Sequence, residues 1–245
     1  MYKRQTYDNA SVRGKRNPIW WQTTVASAGN LTSAVYRIFG KPFSEEGKKL
    51  FGVPFAQFLK LNSEFRYHYR IDKNQMIASR IAGGVIWSYG NATTAPYTEQ
   101  FYIGGANSVR AFSARSIGPG GYPPETDRKY TYINHVGDIR IEANIEYRFR
   151  MIADLHGAVF LDAGNVWLMR KDENRPNGEF TLKNFPKQIA LGTGFGLRYD
   201  LDFLVFRLDL GIGLHDPYDT GKSGYYNIPK FKDSMALHFA IGYPF

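Results

Sequence analysis

An arginine held in a glycine-rich loop can be tied down by carboxylates from neighbouring segments, and this chain carries the parts for it. Arg110 stands in Phe101-Tyr102-Ile103-Gly104-Gly105-Ala106-Asn107-Ser108-Val109-Arg110-Ala111-Phe112. Two strongly alternating segments follow, one bearing Glu146 and the other Asp162 within Phe160-Leu161-Asp162-Ala163-Gly164-Asn165-Val166-Trp167. A guanidinium can bridge two carboxylates through its planar fork, which lysine cannot reproduce. The combination suggests a loop folded into a barrel and tied there by a buried ion pair. A plainer alternative stays open, in which the arginine is paired within its loop and the carboxylates serve other contacts.

Catalysis is not expected from these groups. An adjacent arginine keeps Glu146 and Asp162 ionised and therefore poor general acids. The five histidines, His68, His135, His156, His215 and His238, show no metal-ligand spacing. No Gly-x-Ser-x-Gly elbow or phosphate loop is present. The expectation is a protein that is not an enzyme and that takes no metal and no cofactor.

The elements that must position the loop are strands. Counting alternation gives eight candidates and almost no helix signal. The clearest places Gly137, Ile139, Ile141, Ala143, Ile145, Tyr147 and Phe149 on one face, with Asp138, Arg140, Glu142, Asn144, Glu146, Arg148 and Arg150 on the other. A helix could not bury that pattern on one side. Residues 203–214 set Leu204, Phe206, Leu208, Leu210 and Ile212 against Arg207, Asp209, Gly211 and Gly213. Residues 188–199 set Ile189, Leu191, Phe195, Leu197 and Tyr199 against Gly192, Gly194, Gly196 and Arg198. Inner-face glycines leave room for something that fills the lumen. The C-terminal segment 234–245, residues 54–71, 76–89 and 157–168, and a weaker first strand near 18–28 complete the set. Connections are short at 72–75, 151–155 and 200–202 and long at about 29–53, 90–135, 169–187 and 215–233, the segregation of a transmembrane barrel. Aromatics at strand ends, Trp87, Tyr89, Trp167, Tyr199, Tyr243 and Phe245, suit interfacial girdles.

Composition agrees. A chain of 245 residues that is 43% hydrophobic and 16% aromatic can bury a full core. Mean hydropathy is −0.38, and no apolar run is long enough for a transmembrane helix, so a membrane role requires a β-barrel. The charge of +9 fits a polar lumen and loops facing anionic headgroups. Nucleic-acid binding is not expected, because no basic patch beside stacking aromatics is found. The absence of cysteine fits a bacterial envelope protein.

The Phe101–Phe112 run, Gly137-Asp138 leading to Glu146-Tyr147-Arg148-Phe149, the Phe160–Trp167 run and the terminal Phe239-Ala240-Ile241-Gly242-Tyr243-Pro244-Phe245 resemble the C-terminal half of BamA/TamA-type outer-membrane assembly factors, the bacterial surface antigen family. The wording around Arg110 and Glu146 looks most like members from Bacteroidetes. The resemblance covers residues 18–245 and implies an all-β, antiparallel transmembrane barrel of the bacterial outer membrane. It implies roughly sixteen strands in the whole barrel, of which about eight are present here. Residues 1–17 are expected to be a non-family or disordered start. No secretory signal opens the chain, so it is expected to be the C-terminal piece of a longer precursor.

The resemblance further implies that loop 91–135 folds into the lumen, where Arg110 meets Glu146 and Asp162. It marks Gly104, Gly105, Val109, Arg110, Ala111 and Phe112 as the loop motif, Phe160, Gly164, Asn165 and Trp167 as a strand motif, and Phe239, Gly242 and Phe245 as the C-terminal signal and seam. The family usually has glycine where this chain has Ala111; alanine resists positive φ, so a different loop tip is expected. The implied function is folding and insertion of nascent β-barrel clients into lipid through a lateral seam, with the bilayer, the clients and periplasmic accessory proteins as partners. Two alternatives remain: a two-partner-type secretion pore, and a small stand-alone structural barrel.

Overall fold

The computed structural model describes residues 1–10, 16–43, 45–123, 134–201 and 203–245. Its strands are β1 (Tyr2–Asp8), β2 (Ile19–Ala28), β3 (Lys49–Leu50), β4 (Val53–Pro54), β5 (Phe58–Arg70), β6 (Gln75–Ser88), β7 (Ile139–Ile152), β8 (Leu155–Trp167), β9 (Ala190–Asp200), β10 (Val205–His215) and β11 (Met235–Ile241). Among the described residues one α-helix, α1 (Asn30–Ile38), follows β2. Nine strands form a single antiparallel sheet in the order β1-β2-β5-β6-β7-β8-β9-β10-β11, and β3 and β4 make a separate hairpin. The sheet is open, with β1 and β11 as its edges.

Burial along the strands is the reverse of a soluble sandwich. On β7, Glu142, Asn144, Glu146 and Arg148 are buried while Ala143, Ile145 and Tyr147 are exposed. On β10, Arg207, Asp209, Gly211 and Gly213 are buried while Phe206 and Leu208 are exposed. Period-two alternation thus points charge into a lumen and hydrocarbon outward, as in a membrane barrel. The register sets Asn144 opposite Asp162 and Glu146 opposite Phe160, so the two carboxylates sit on a luminal diagonal of neighbouring strands.

Four expectations are corrected. Of residues 1–17, expected to be a non-family or disordered start, Tyr2–Asp8 is not disordered: it is a strand paired with β2 along its whole length from Tyr2↔Ala26 to Asp8↔Trp20. The segment expected as one strand over 54–71 begins at Phe58, and the residues before it build α1 and the β3–β4 hairpin. Trp167 is not an interfacial aromatic: it is fully buried, edge-on to Phe180 at 5.5 Å and against Phe185 at 5.7 Å. Phe245 likewise leaves the girdle. The backbone turns at Gly242 (φ 82°), and the Phe245 ring is buried beneath Arg80 and Arg148.

Candidate functional site

The long connection between β6 and β7 enters the lumen; its residues 124–133 lie outside the described set. Phe101 and Gly137 exchange two backbone hydrogen bonds of 2.9 Å each, and an Ile103–Ile117 bridge continues the stem. Apolar side chains seat this stem, because Phe101, Ile103, Val109 and Ile117 cluster with Ile86, Val166 and Ala190 from the walls. At the tip the chain must reverse in little space. Gly104 has φ 106°, and a Cβ there would lie 2.3 Å from the Ser113 carbonyl oxygen, so only glycine fits. The Gly104 N–H donates to Ser108 Oγ at 3.2 Å, Gly105 N–H to Phe112 O at 3.0 Å and Phe112 N–H to Val109 O at 3.2 Å. These bonds close the turn and present Arg110 to β7 and β8.

Ala111 does not distort the tip. It is absent from the residues with positive φ, so alanine is accommodated without strain. Clearance comes from the walls instead. A Cβ on Gly211 would lie 2.2 Å from the Arg110 carbonyl oxygen, and one on Gly192 would lie 2.2 Å from Ala111 Cβ. Phe112 packs partly buried against the apolar cluster, and Gly164 faces Ile103.

Arg110 is completely buried. Nε and Nη2 donate to Asp162 Oδ2 and Oδ1 at 2.8 and 2.9 Å, a bidentate pair, and its backbone N–H reaches Asp162 Oδ2 at 3.1 Å. Nη1 donates to Glu146 Oε2. The guanidinium lies 3.6 Å from the centroid of the Phe160 ring, which thus serves as its platform. His238 Nε2 lies 2.9 Å from the Arg110 carbonyl oxygen and donates to it in the Nε2–H tautomer. Burial alone would lower the Arg110 pKa; the Asp162 hydrogen bonds and the charges of Asp162 and Glu146 outweigh it, and the group is held above its ordinary value.

The network is wider than the three residues read from the sequence. Glu146 also pairs with Arg148 at 2.6 Å and Arg198 at 3.1 Å, and Asp209 pairs with Arg198 at 2.6 Å and Arg207 at 3.5 Å. Arg207 Nη2 donates to Asn107 Oδ1 in the loop. Asn144 donates through Nδ2 to Asp162 Oδ1 at 2.9 Å and to Ser108 O at 3.0 Å, and it accepts from Arg80 Nε at 3.0 Å. Arg80 in turn reaches Asn107 O at 3.0 Å. Strand parity had put all of these wall side chains except Arg80 on inner faces; which of them meet the loop depends on its depth, for which the sequence has no signal.

The remaining candidate residues divide. Asn165 is buried: Nδ2 donates to Gly120 O at 2.9 Å and to Gln188 O, and Oδ1 accepts Val166 N–H at 2.7 Å. Trp167 Nε1 donates to Gln188 Oε1 at 2.9 Å. Asn165 and Trp167 therefore clamp the returning limb of the loop beneath residues 177–188 and do not touch Arg110. Phe239 is exposed on the outer face of β11 and stacks with Phe206 at 6.1 Å. Gly242 N–H donates to Val205 O at 2.8 Å, and Arg148 Nη2 donates to the Phe245 main-chain oxygen at 3.2 Å. The geometry holds charge in fixed places; what it can do is lock a loop to a wall.

Residues 49–245 match the Omp85 superfamily domain. The chain is 28% identical over 204 residues to "Outer membrane protein assembly factor BamA" of Nitratidesulfovibrio vulgaris (strain Hildenborough), with 81% of this chain and 22% of that protein aligned. It thus spans about a fifth of that relative's length. The crystal structure of BamA from Haemophilus ducreyi lacking POTRA domains 1–3 superposes with a TM-score of 0.52 at 13% identity, covering 98% of this chain and 55% of that one, and so shares its fold. This chain belongs to the Omp85 superfamily and carries C-terminal barrel sequence of the BamA/TamA type, a fold of the bacterial outer membrane.

Proposed function

We propose that this chain forms part of a factor that folds and inserts β-barrel proteins into the outer membrane, and that insertion proceeds at the edge of β11. The observation that carries the reading is the terminal strand of the sheet and its tie to the Arg110 loop. Within this partial chain β11 pairs with β10, from Phe206↔Ile241 to Ile212↔Met235. Met235, Leu237, Phe239 and Ile241 stand exposed on its lipid-facing side. An unpaired edge templates an incoming strand through main-chain hydrogen bonds. At Gly242 the chain leaves the strand line for the lumen, which keeps residues 243–245 from extending that edge. The Arg110 lock supplies the second requirement, a plug held to the wall beside the edge: His238 of β11 bonds the Arg110 carbonyl.

On this reading the partners are the outer-membrane bilayer, nascent β-barrel clients and periplasmic accessory proteins, and strand exchange needs no chemical step by the chain itself. The test is cysteine pairing between Ala240→Cys in the protein carrying this chain and a cysteine ladder along a client's terminal strand during insertion into vesicles. Cross-links at alternate client positions are expected. Unimpeded insertion with no cross-link along the ladder sinks the proposal.

A further inference from the structure

α1 is amphipathic with its faces reversed. Its polar side is fastened to the rim: Ser33 Oγ donates to Gln57 Oε1 at 2.8 Å, Gln57 Nε2 to Asn30 Oδ1 at 3.2 Å and Tyr89 OH to Asn30 Oδ1 at 2.8 Å. One turn on, Tyr36 stacks on Phe55 at 6.4 Å. Leu31, Val35 and Ile38, spaced i, i+4 and i+7, occupy the opposite side. Leu31 is 82% exposed, Ile38 81% and the adjoining Phe39 79%. A helix covering a water-soluble domain turns such a stripe inward.

The β3–β4 hairpin beside it repeats the anomaly. Its two-residue turn has φ 50° at Phe51 and 82° at Gly52, a geometry that ordinarily selects Asn-Gly. A bulky side chain at positive φ is a costly choice, and here it holds an aromatic ring 96% exposed. The hairpin is rigidly based, because Tyr36 OH donates to Lys49 O while Asn91 Nδ2 donates to Lys48 O at 2.9 Å and Phe55 O at 2.7 Å.

Both features rise from the rim where the outward-facing hydrocarbon belt ends. Ser27 on β2 pairs with Leu59, which pairs with Trp87, and the side chains of Leu59 and Trp87 are exposed on the barrel's outer surface. Arg37, Lys41 and Lys49 are exposed around the apolar residues, against Glu45 and Glu46. An apolar stripe flanked by cations and continuous with a lipid-facing belt matches the headgroup boundary of a bilayer. We propose that α1 and the tip of the β3–β4 hairpin form an interfacial foot seated in the outer leaflet, with anionic lipid as its partner.

The chain has no cysteine, so single labels can be placed in it. Environment-sensitive fluorophores at Ile38→Cys and Phe51→Cys, with Lys222→Cys in the β10–β11 connection as reference, are compared in the protein reconstituted in vesicles carrying headgroup-depth quenching lipids. The expected result is a blue-shifted emission and lipid quenching at residues 38 and 51 but not at 222, stronger with anionic than with neutral lipid. Labels at 38 and 51 that stay as open to an aqueous quencher as residue 222 overturn the proposal. Labels shielded from water yet untouched by lipid quenchers overturn it too, because protein then covers the face; equal quenching in both lipids removes the anionic partner.

Discussion

Replacing Asp162 with asparagine keeps the shape of the lock and removes its charge. Asp162 accepts four hydrogen bonds, from Arg110 N, Nε and Nη2 and from Asn144 Nδ2. An asparagine retains one oxygen acceptor and turns an amide N–H toward existing donors, so at least one guanidinium N–H loses its partner. A charge pair about 4 Å apart is worth about 4 kcal/mol at an effective dielectric of 20. Glu146 remains on Arg110 Nη1 and recovers part of that, which puts the net cost of Asp162→Asn at about 3 kcal/mol, at the low end for breaking a buried pair. Arg110→Met strands the carboxylate with Asn144 alone and should cost about 3–5 kcal/mol. The double variant removes both charges, so the effects should fall short of additive by at least about 2 kcal/mol.

Hydrogen exchange at the amides of residues 103–117 in lipid reads loop docking directly, and heat-modified gel migration reads the whole barrel. Native protection of Val109 to Phe112 in Asp162→Asn, or a cycle additive within about 0.5 kcal/mol, refutes the claim that this pair holds the loop.

Three further outcomes follow from local geometry. Gly211→Ala puts a methyl 2.2 Å from the Arg110 carbonyl and should loosen loop protection by about 1–3 kcal/mol, whereas Gly83→Ala, whose nearest neighbour is 3.8 Å away, should leave thermal unfolding unchanged. Asn165→Ala strands Gly120 O, Gln188 O and Val166 N–H in a buried setting, and should lower the unfolding midpoint by an amount equivalent to about 2–4 kcal/mol without altering protection at Val109. Burial raises the Asp216 carboxyl above its ordinary value despite the opposing influence of His215, so ionisation works against the folded β10–β11 connection. Proteolytic nicking there should slow as pH falls from neutral through the raised value, and Asp216→Asn should abolish the dependence.

The barrel was legible because its signal is backbone geometry. Parity alone turned Glu146, Asp162, Arg207 and Asp209 inward, and the glycines at 192 and 211 marked where the wall had to admit the loop. Parity fails where a strand outlasts the membrane. Asn165 shares the outward parity of Leu161 and Ala163, yet it is buried because the end of β8 is roofed by residues 177–188. Trp167 misled for the same reason. β1 was illegible because polar residues, Lys3, Arg4, Gln5 and Thr6, occupy both of its faces, and α1 because it is short and starts after Gly29 in the left-handed region with no side-chain cap. Nothing in one sequence reports the depth of a loop, so Arg198, Asp209 and Asn144 as its neighbours emerged only in three dimensions.

The division of labour within the loop explains why its tip is ionic. Ile103, Val109 and Ile117 supply non-directional attachment that would tolerate a slip along the barrel axis. Around the tip, Arg110, Arg148, Arg198 and Arg207 meet Glu146, Asp162 and Asp209, and a displacement of one residue would leave charges buried without partners. Because such a group costs several kcal/mol, intermediate positions are excluded, and the loop is either docked in one register or withdrawn. Apolar packing therefore keeps the loop in the barrel while the arginine network fixes where it stops. The same network ties that stop to β11 through His238 and to Phe245 through Arg148, so the position of the loop and the C-terminal strand are physically joined.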